Sequence, residues 1–359
     1  MTAVGRRSAL LWAVAAAASA TAGCAPSLTA PIGAGGQGPT VRTAPYVPFD
    51  VTWLIRPKHG RKYLGAAFGG RDAAPGALDA WTGRAGKAAT LCARRFAWGD
   101  DFPAEDITAV WQRRTLPYLL WEPWKSTLRD IAGGRDDAYI RRTAEHVRDL
   151  NVPVAIAFAP QMNGDWYPWG TREAKPEEFV GAWRHLHDLF QDTGVSNVVW
   201  VWSPTVVGPL PPARLRPYYP GDAYADWLGL VGYYTRTGPH TFDSLFAPTI
   251  EKLRTFTRNP VLVAETAAEP GARKPADIAD LMHAVTTRKD VVGLVWYDAR
   301  GDTDGKGTGN DQGDKGDKGD KGDKGDKGTD WRIDSSPEAL AAFRRGAADP
   351  LFGFDVRHP

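Results

Sequence analysis

Cysteine is almost absent from this chain: Cys24 and Cys92 are the whole supply. With Cys24 assigned to a leader, as argued below, Cys92 has no intrachain partner, and a disulfide scaffold is excluded. Its setting, Thr90-Leu91-Cys92-Ala93, supplies no base, which fits a buried strand residue better than a catalytic thiol. A membrane-spanning hydrophobic run is missing too, because Ala9 to Ala20 is too short to cross a bilayer comfortably. Charge of one sign is not in excess either. The formal balance is +2, and removing residues 1–23 takes away Arg6 and Arg7 and no acid, which brings it to zero. Without a basic patch, nucleic acid is not an expected partner.

What is present begins with a leader. Arg6-Arg7 precede the apolar run, and Thr21-Ala22-Gly23-Cys24 looks like a bacterial lipobox. The expectation is removal of residues 1–23, lipidation of Cys24, and a protein outside the cytoplasm held to the cell membrane by acyl chains alone. Gly5-Arg6-Arg7-Ser8-Ala9-Leu10-Leu11 loosely matches a twin-arginine (Tat) export signal, with Sec as the alternative. Residues 24–48, rich in Pro, Gly, Ala and Thr, read as a flexible tether.

Residues 49–359 read as one domain. Short apolar runs alternate with amphipathic stretches, the βα pattern. Strands are expected at Tyr63–Phe68, Ala89–Phe96, Leu116–Trp121, Val152–Ala159, Val198–Trp202, Trp227–Tyr233, Val261–Glu265 and Val291–Trp296. A helix over Glu177–Asp192 puts Phe179, Trp183, Leu186 and Phe190 on one face, and Ser336-Pro337 opens a last helix with Ser336 as N-cap. The sum is a (β/α)8 TIM barrel whose weakest element is the fifth helix, since Arg214–Pro220 is short and broken by proline. Residues 301–328 interrupt the order after the eighth strand with five Gly-Asp-Lys triplets, Gly313 to Lys327. Five triplets without proline are too few for a collagen helix, and the segment is expected to be a disordered, charge-balanced insertion. Asp302 and Asp304 faintly resemble a calcium loop, but Lys306 and Gly313 occupy ligand positions, so no metal is expected. Nothing calls for a cofactor, and a monomer is expected.

The chemistry gathers at strand ends, where barrel enzymes keep it. The fourth strand delivers Gln161-Met162-Asn163-Gly164-Asp165-Trp166-Tyr167-Pro168-Trp169, the third ends Trp121-Glu122-Pro123-Trp124, and the seventh ends at Glu265. These stretches resemble the β-mannanase family, glycoside hydrolase family 26. The family's fourth strand ends Arg-x-x-His-Glu-Met-Asn-Gly, with the Glu as acid/base. Here Ala157, Pro160 and Gln161 stand at the Arg, His and Glu positions. Glu265 matches the nucleophile, and Tyr233, ending the sixth strand, matches the Tyr that hydrogen-bonds it. Trp121 and Glu122 match a Trp-Glu-Pro segment lining the cleft, and Trp296 an aromatic floor. With Asn163, the strand-end tryptophans Trp166, Trp169, Trp202 and Trp296 are expected to hold sugar, whereas Trp53, Trp81, Trp111, Trp183 and Trp200 are expected in the core.

The resemblance implies a polysaccharide or oligosaccharide partner and a retaining mechanism by descent. An amide at Gln161 can hydrogen-bond a glycosidic oxygen but cannot protonate it, and general acid–base assistance is typically worth about 10²–10⁴-fold. Three functions stay open from sequence. The chain is a glycosidase of altered chemistry, with Glu122, Asp165 or a bound anion as substitute base. Or it is a carbohydrate-binding pseudoenzyme, or an accessory of surface-polysaccharide assembly.

Overall fold

A computed structural model describes residues 47–69, 75–207, 215–300 and 329–358. The expected leader, Cys24, all but the end of the expected tether, and the Gly-Asp-Lys triplets lie outside the described residues. The eight strands are β1 (Tyr63–Ala67), β2 (Leu91–Ala97), β3 (Leu116–Glu122), β4 (Val154–Phe158), β5 (Val198–Trp202), β6 (Trp227–Val231), β7 (Val261–Thr266) and β8 (Val291–Tyr297). All pair in parallel in chain order, and β8 closes on β1. The expected span of β5 is met in full, and the others differ by one or two residues at one or both ends. The strands are buried on both faces, which is why they read as near-continuous apolar runs.

Alternation along each strand sorts side chains into two layers. Ala93, Tyr118, Leu120, Ala157, Val201 and Ala264 fill the barrel interior. Leu119, Trp121, Ile156, Phe158, Trp200 and Trp202 point the other way, into the layer shared with the helices. The N-terminal end is plugged by the turn Thr52–Ile55: Tyr63 Oη donates to the Leu54 carbonyl at 2.8 Å and Trp227 Nε1 to that of Ile55 at 2.9 Å. That leaves the opposite, C-terminal mouth for chemistry.

The helix Pro176–Asp192 starts with proline in its first turn and buries Phe179, Trp183, Leu186 and Phe190, the face expected. Ser336 Oγ accepts the Ala339 N–H at 3.1 Å, capping Pro337–Ala347. The doubt over the fifth helix was justified. Between β5 and β6 the described residues hold only a 3₁₀ turn, Arg216–Tyr218.

The described residues on either side of 301–328 are joined to each other. Arg300 bridges Asp330 through backbone and side chain, with Nε at 3.1 Å from the carboxylate. The returning backbone is then pinned residue by residue. Buried Lys274 Nζ donates to the carbonyls of Asp330 (3.1 Å) and Arg332 (2.8 Å), Trp296 Nε1 to that of Trp331 (2.9 Å), and Asp298 accepts the Ile333 N–H (2.8 Å). These bonds hold Trp331 at the barrel mouth.

Candidate active site

Strict alternation would send Glu265 outward, because Leu262 and Ala264 already face the interior. The registers of β7 against both neighbours slip at this end, between Leu230 and Val231 on β6 and between Val263 and Thr266 on β7. Such irregularities re-aim a side chain, and here the Glu265 carboxylate turns into the mouth. It is 7% exposed, and Tyr233 Oη donates a short hydrogen bond to its Oε1. Burial, followed by the Glu265 charge, pushes the Tyr233 phenol well up, so Tyr233 stays a donor.

Gln161 faces the same cavity, of about 630 Å³, as Glu265, Tyr233, Arg95, Tyr167 and Tyr297. The turn that carries it is strained: Ala159 and Gln161 both have left-handed backbones, at φ 45° and 59°. The Gln161 N–H donates to the Ser203 carbonyl at 2.6 Å, which ties this turn to the end of β5. The expected nucleophile position and the expected acid/base position therefore share one cavity. Ala157 is buried in the interior, and the Pro160 carbonyl accepts the Trp169 indole N–H at 2.7 Å, so neither brings a polar side chain to Gln161.

Arg95 went unnoticed in the sequence. It follows Leu91 and Ala93 at period two, so it faces inward, and its guanidinium pairs with Glu122 Oε1. Burial opposes that charge, but Glu122, Glu265 and Tyr167 outweigh it and hold Arg95 firmly protonated. Glu122 has its second oxygen occupied by Trp124 Nε1 at 2.9 Å. Glu122 is buried, each of its oxygens is hydrogen-bonded, and it does not line the cavity of Glu265 and Gln161. Asp165 does not line it either: it is exposed, pairs with Arg172 at 3.4 Å, and lines a neighbouring cavity of about 570 Å³. Glu269 does reach the cavity of Glu265, but it follows β7 on the nucleophile's side and accepts the Arg236 N–H at 2.5 Å.

Most of the expected sugar platforms are core. Trp121 is 1% exposed and stacks between Phe96 and Trp98 at 5.5 and 4.8 Å. Trp202 is fully buried with Nε1 on the Tyr218 carbonyl at 2.9 Å, and Trp296 is fully buried edge-on to Phe343 at 5.5 Å. One residue of phase explains all three, because the inward positions beside them belong to Glu122, Ser203 and Tyr297. Trp169 is buried as well, under Tyr167, with which it stacks at 4.5 Å and 9°. Asn163 staples two loops, donating to the Thr205 carbonyl at 2.9 Å and accepting the Thr205 N–H at 2.8 Å. Trp166 alone of the expected platforms is open, 55% exposed and lining the neighbouring cavity. Its ring lies flat over Gly164, where a Cβ would meet it at 2.5 Å, which is why glycine stands there. Tyr297 and Trp331 supply the aromatic surface beside Glu265 instead. Trp202→Ala is expected to cost about 3–5 kcal/mol, typical of a buried tryptophan, with glycan affinity unchanged. Intact stability with lost binding, in denaturant titration and calorimetry, would return Trp202 to the cleft.

The C-terminal mouth of the parallel barrel thus gathers a buried, tyrosine-bonded glutamate from β7 and, in the same cavity, an amide from the turn after β4. The sequence model of glycosyl hydrolase family 26 matches residues 132–305. Endoglucanase H of Acetivibrio thermocellus is 30% identical over 273 residues, 70% of this chain but 27% of that protein. A mannan endo-1,4-beta-mannosidase of Bacillus subtilis is 29% identical over 115 residues, 29% of this chain and 31% of that one. The chain thus spans about a third or less of these relatives. Among solved structures, the catalytic domain of the Bacillus sp. JAMB-750 endo-beta-1,4-mannanase superposes with a TM-score of 0.60 at 15% identity, covering 84% of this chain and 89% of that one. The modular endo-beta-1,4-mannanase of Cellulomonas fimi gives 0.59 at 14% identity, over 85% and 75%. At such identities the structures speak for the fold. The chain belongs to glycosyl hydrolase family 26.

Proposed function

We propose that this protein is a β-mannan-type retaining glycosidase, displayed outside the cytoplasm, with Glu265 as nucleophile and no carboxylic acid opposite it. The observation that carries the reading is the shared cavity: Glu265, held by Tyr233, and Gln161 line it together. A retaining mechanism places two carboxyl groups across such a mouth, roughly 5–5.5 Å apart. Here one is an amide, so glycosyl transfer to Glu265 keeps its nucleophile while protonation of the departing oxygen loses its usual donor. Hydrolysis of unactivated β-mannan is therefore weak. Binding without chemistry is the lesser reading, because it leaves the Tyr233–Glu265 pair and the inward Arg95 without a purpose. Mannan is the substrate in the names of several relatives, which makes manno-oligosaccharides the first probes.

The test is a dinitrophenyl β-mannobioside, whose leaving group departs without protonation. Mass spectrometry should find a disaccharide ester on the peptide containing Glu265. Its absence, with burst release of dinitrophenol also missing, would sink the reading.

Anchoring through Cys24 belongs to the same proposal, supported by the lipobox-like Thr21-Ala22-Gly23-Cys24. Cys24→Ser is expected to move the protein from the membrane fraction to the soluble one. A variant that stays as membrane-bound as the parent refutes the anchor.

A further inference from the structure

The loss of the carboxyl at Gln161 leaves open which group handles the proton when the leaving group needs one. The described carboxylates near the mouth stand elsewhere: Glu122 is held by Arg95 and Trp124 and does not line the cavity, Asp165 lines the neighbouring one, and Glu269 follows β7 on the nucleophile's side. Among the described residues that line the cavity, one hydroxyl remains on the acid/base side. Tyr167 sits six residues after Gln161 in the loop that follows β4, and it lines the cavity of Glu265 and Gln161. Its ring is fixed, stacked on Trp169 at 4.5 Å and met edge-on by Trp124 at 5.5 Å. Trp169 is itself anchored to the Pro160 carbonyl, next to Gln161. A phenol held this firmly at the mouth is a preorganised donor.

We propose that Tyr167 is the proton donor and acceptor of the reaction, with Arg95 as the residue that stabilises its anion. This rests on Glu265 as nucleophile. In the first step Glu265 attacks C1, the C1–O bond to the leaving sugar breaks, and the departing oxygen takes the Tyr167 proton. The tyrosinate so formed lies beside the Arg95 guanidinium. In the second step water attacks C1, the bond from C1 to Glu265 breaks, and the tyrosinate takes the water proton. The sum is glycoside plus water, with Tyr167 and Glu265 regenerated. In the resting protein burial pushes the Tyr167 phenol up; Arg95 opposes this, while Glu122 and Glu265 add to it, so the acid form is the one present at neutral pH. A phenol is a weaker acid than a carboxyl, and its contribution falls at or below the bottom of the roughly 10²–10⁴-fold range for general acids.

The test uses Tyr167→Phe, which keeps the ring and its stack on Trp169, in the full-length protein. Aryl β-mannobiosides from dinitrophenyl to unsubstituted phenyl serve as substrates. Slow turnover of the phenyl glycoside by the parent is expected, falling at least about tenfold in Tyr167→Phe, with adduct formation from the dinitrophenyl glycoside within about threefold of the parent. On the phenyl glycoside the parent's kcat/KM should persist to about pH 9, because a phenol with an ordinary pKa near 10 stays protonated there. A carboxylic donor would fail by about pH 7. In a Gln161→Glu background, removing the Tyr167 hydroxyl should matter little, since the carboxyl takes over. A purely structural tyrosine would cost the same in both backgrounds and with both leaving groups, and that pattern overturns the proposal. So does an unaffected phenyl glycoside rate, or no parental turnover of it while the Glu265 adduct forms. If no adduct forms, the nucleophile reading fails first and this one falls with it.

Discussion

Gln161→Glu is expected to raise turnover of manno-oligosaccharides about 10²-fold, in the lower part of the range for general acid–base catalysis. The gain should vanish in the burst rate and kcat/KM on a dinitrophenyl glycoside, because that leaving group needs no proton, while release of the covalent intermediate quickens as the carboxylate serves as base. The new carboxyl would enter a cavity that already holds the Glu265 charge, and like charges sharing a site push one pKa up. It would then be protonated near neutral pH, and a bell-shaped pH profile should replace the parent's flatter one. Two features keep the gain below the top of the range. Ala157 offers no hydrogen bond from β4, and the Pro160 carbonyl is committed to Trp169. Adding one partner, as Ala157→Arg on top of Gln161→Glu, tests that limit, although a buried interior position leaves little room for the side chain. Equal gains in kcat/KM on both classes of leaving group would mean that the substitution acts through binding rather than through protonation of the departing oxygen.

The barrel was legible because parallel strands covered on both faces leave apolar runs that punctuation separates, and all eight were found. The catalytic end was legible for a related reason: strand termini are where the fold permits chemistry, and Glu265, Gln161 and Tyr233 each end or follow a strand. The tryptophans were not legible, because identity and approximate position are insufficient where the side-chain period is two. A shift of one residue moves a side chain from the mouth to the helix layer. Trp121, Trp202 and Trp296 share phase with Leu119, Trp200 and Leu294, all in the outer layer. Counting by two from Leu91 would have found Arg95, and from Val295 would have found Tyr297. The reverse holds for Glu265: strict counting would have rejected it, and only the slip of β7 against its neighbours brings it inward. Trp331 gave no local signal. It is separated from β8 by the insertion and reaches the mouth through backbone bonds to Lys274 and Trp296 that no sequence pattern announces. Asn163 was misread for the same kind of reason, since its partner Thr205 lies on a different strand's loop.

Glu265→Ala is expected to abolish the covalent adduct and lower turnover of every substrate, activated or not, by about 10⁴-fold or more, as loss of a nucleophile does in other covalent enzymes. Its effect on folding should be small, because two costs nearly cancel. The substitution removes a carboxylate that is only 7% exposed, which relieves a desolvation penalty. It also strands the Tyr233 hydroxyl, and leaving a buried donor unpaired costs about 1–3 kcal/mol. Glycan affinity should hold, because Tyr297 and Trp331 form the aromatic surface of the cavity and neither depends on Glu265 for its position. Trp331 is set by the carbonyl bonds around it, and Tyr297 by the phase of β8. The discriminating comparison is therefore between Glu265→Ala and Gln161→Glu in the same assays. One should lose the adduct and all turnover while still binding manno-oligosaccharides; the other should form the adduct at the parent's rate from the dinitrophenyl glycoside and gain in kcat/KM only where a proton is needed. If Glu265→Ala still forms an adduct at another residue, or retains the parent's rate on the dinitrophenyl glycoside, the nucleophile lies elsewhere in the mouth. The pairing of Tyr233 with Glu265 would then have to be read as structural.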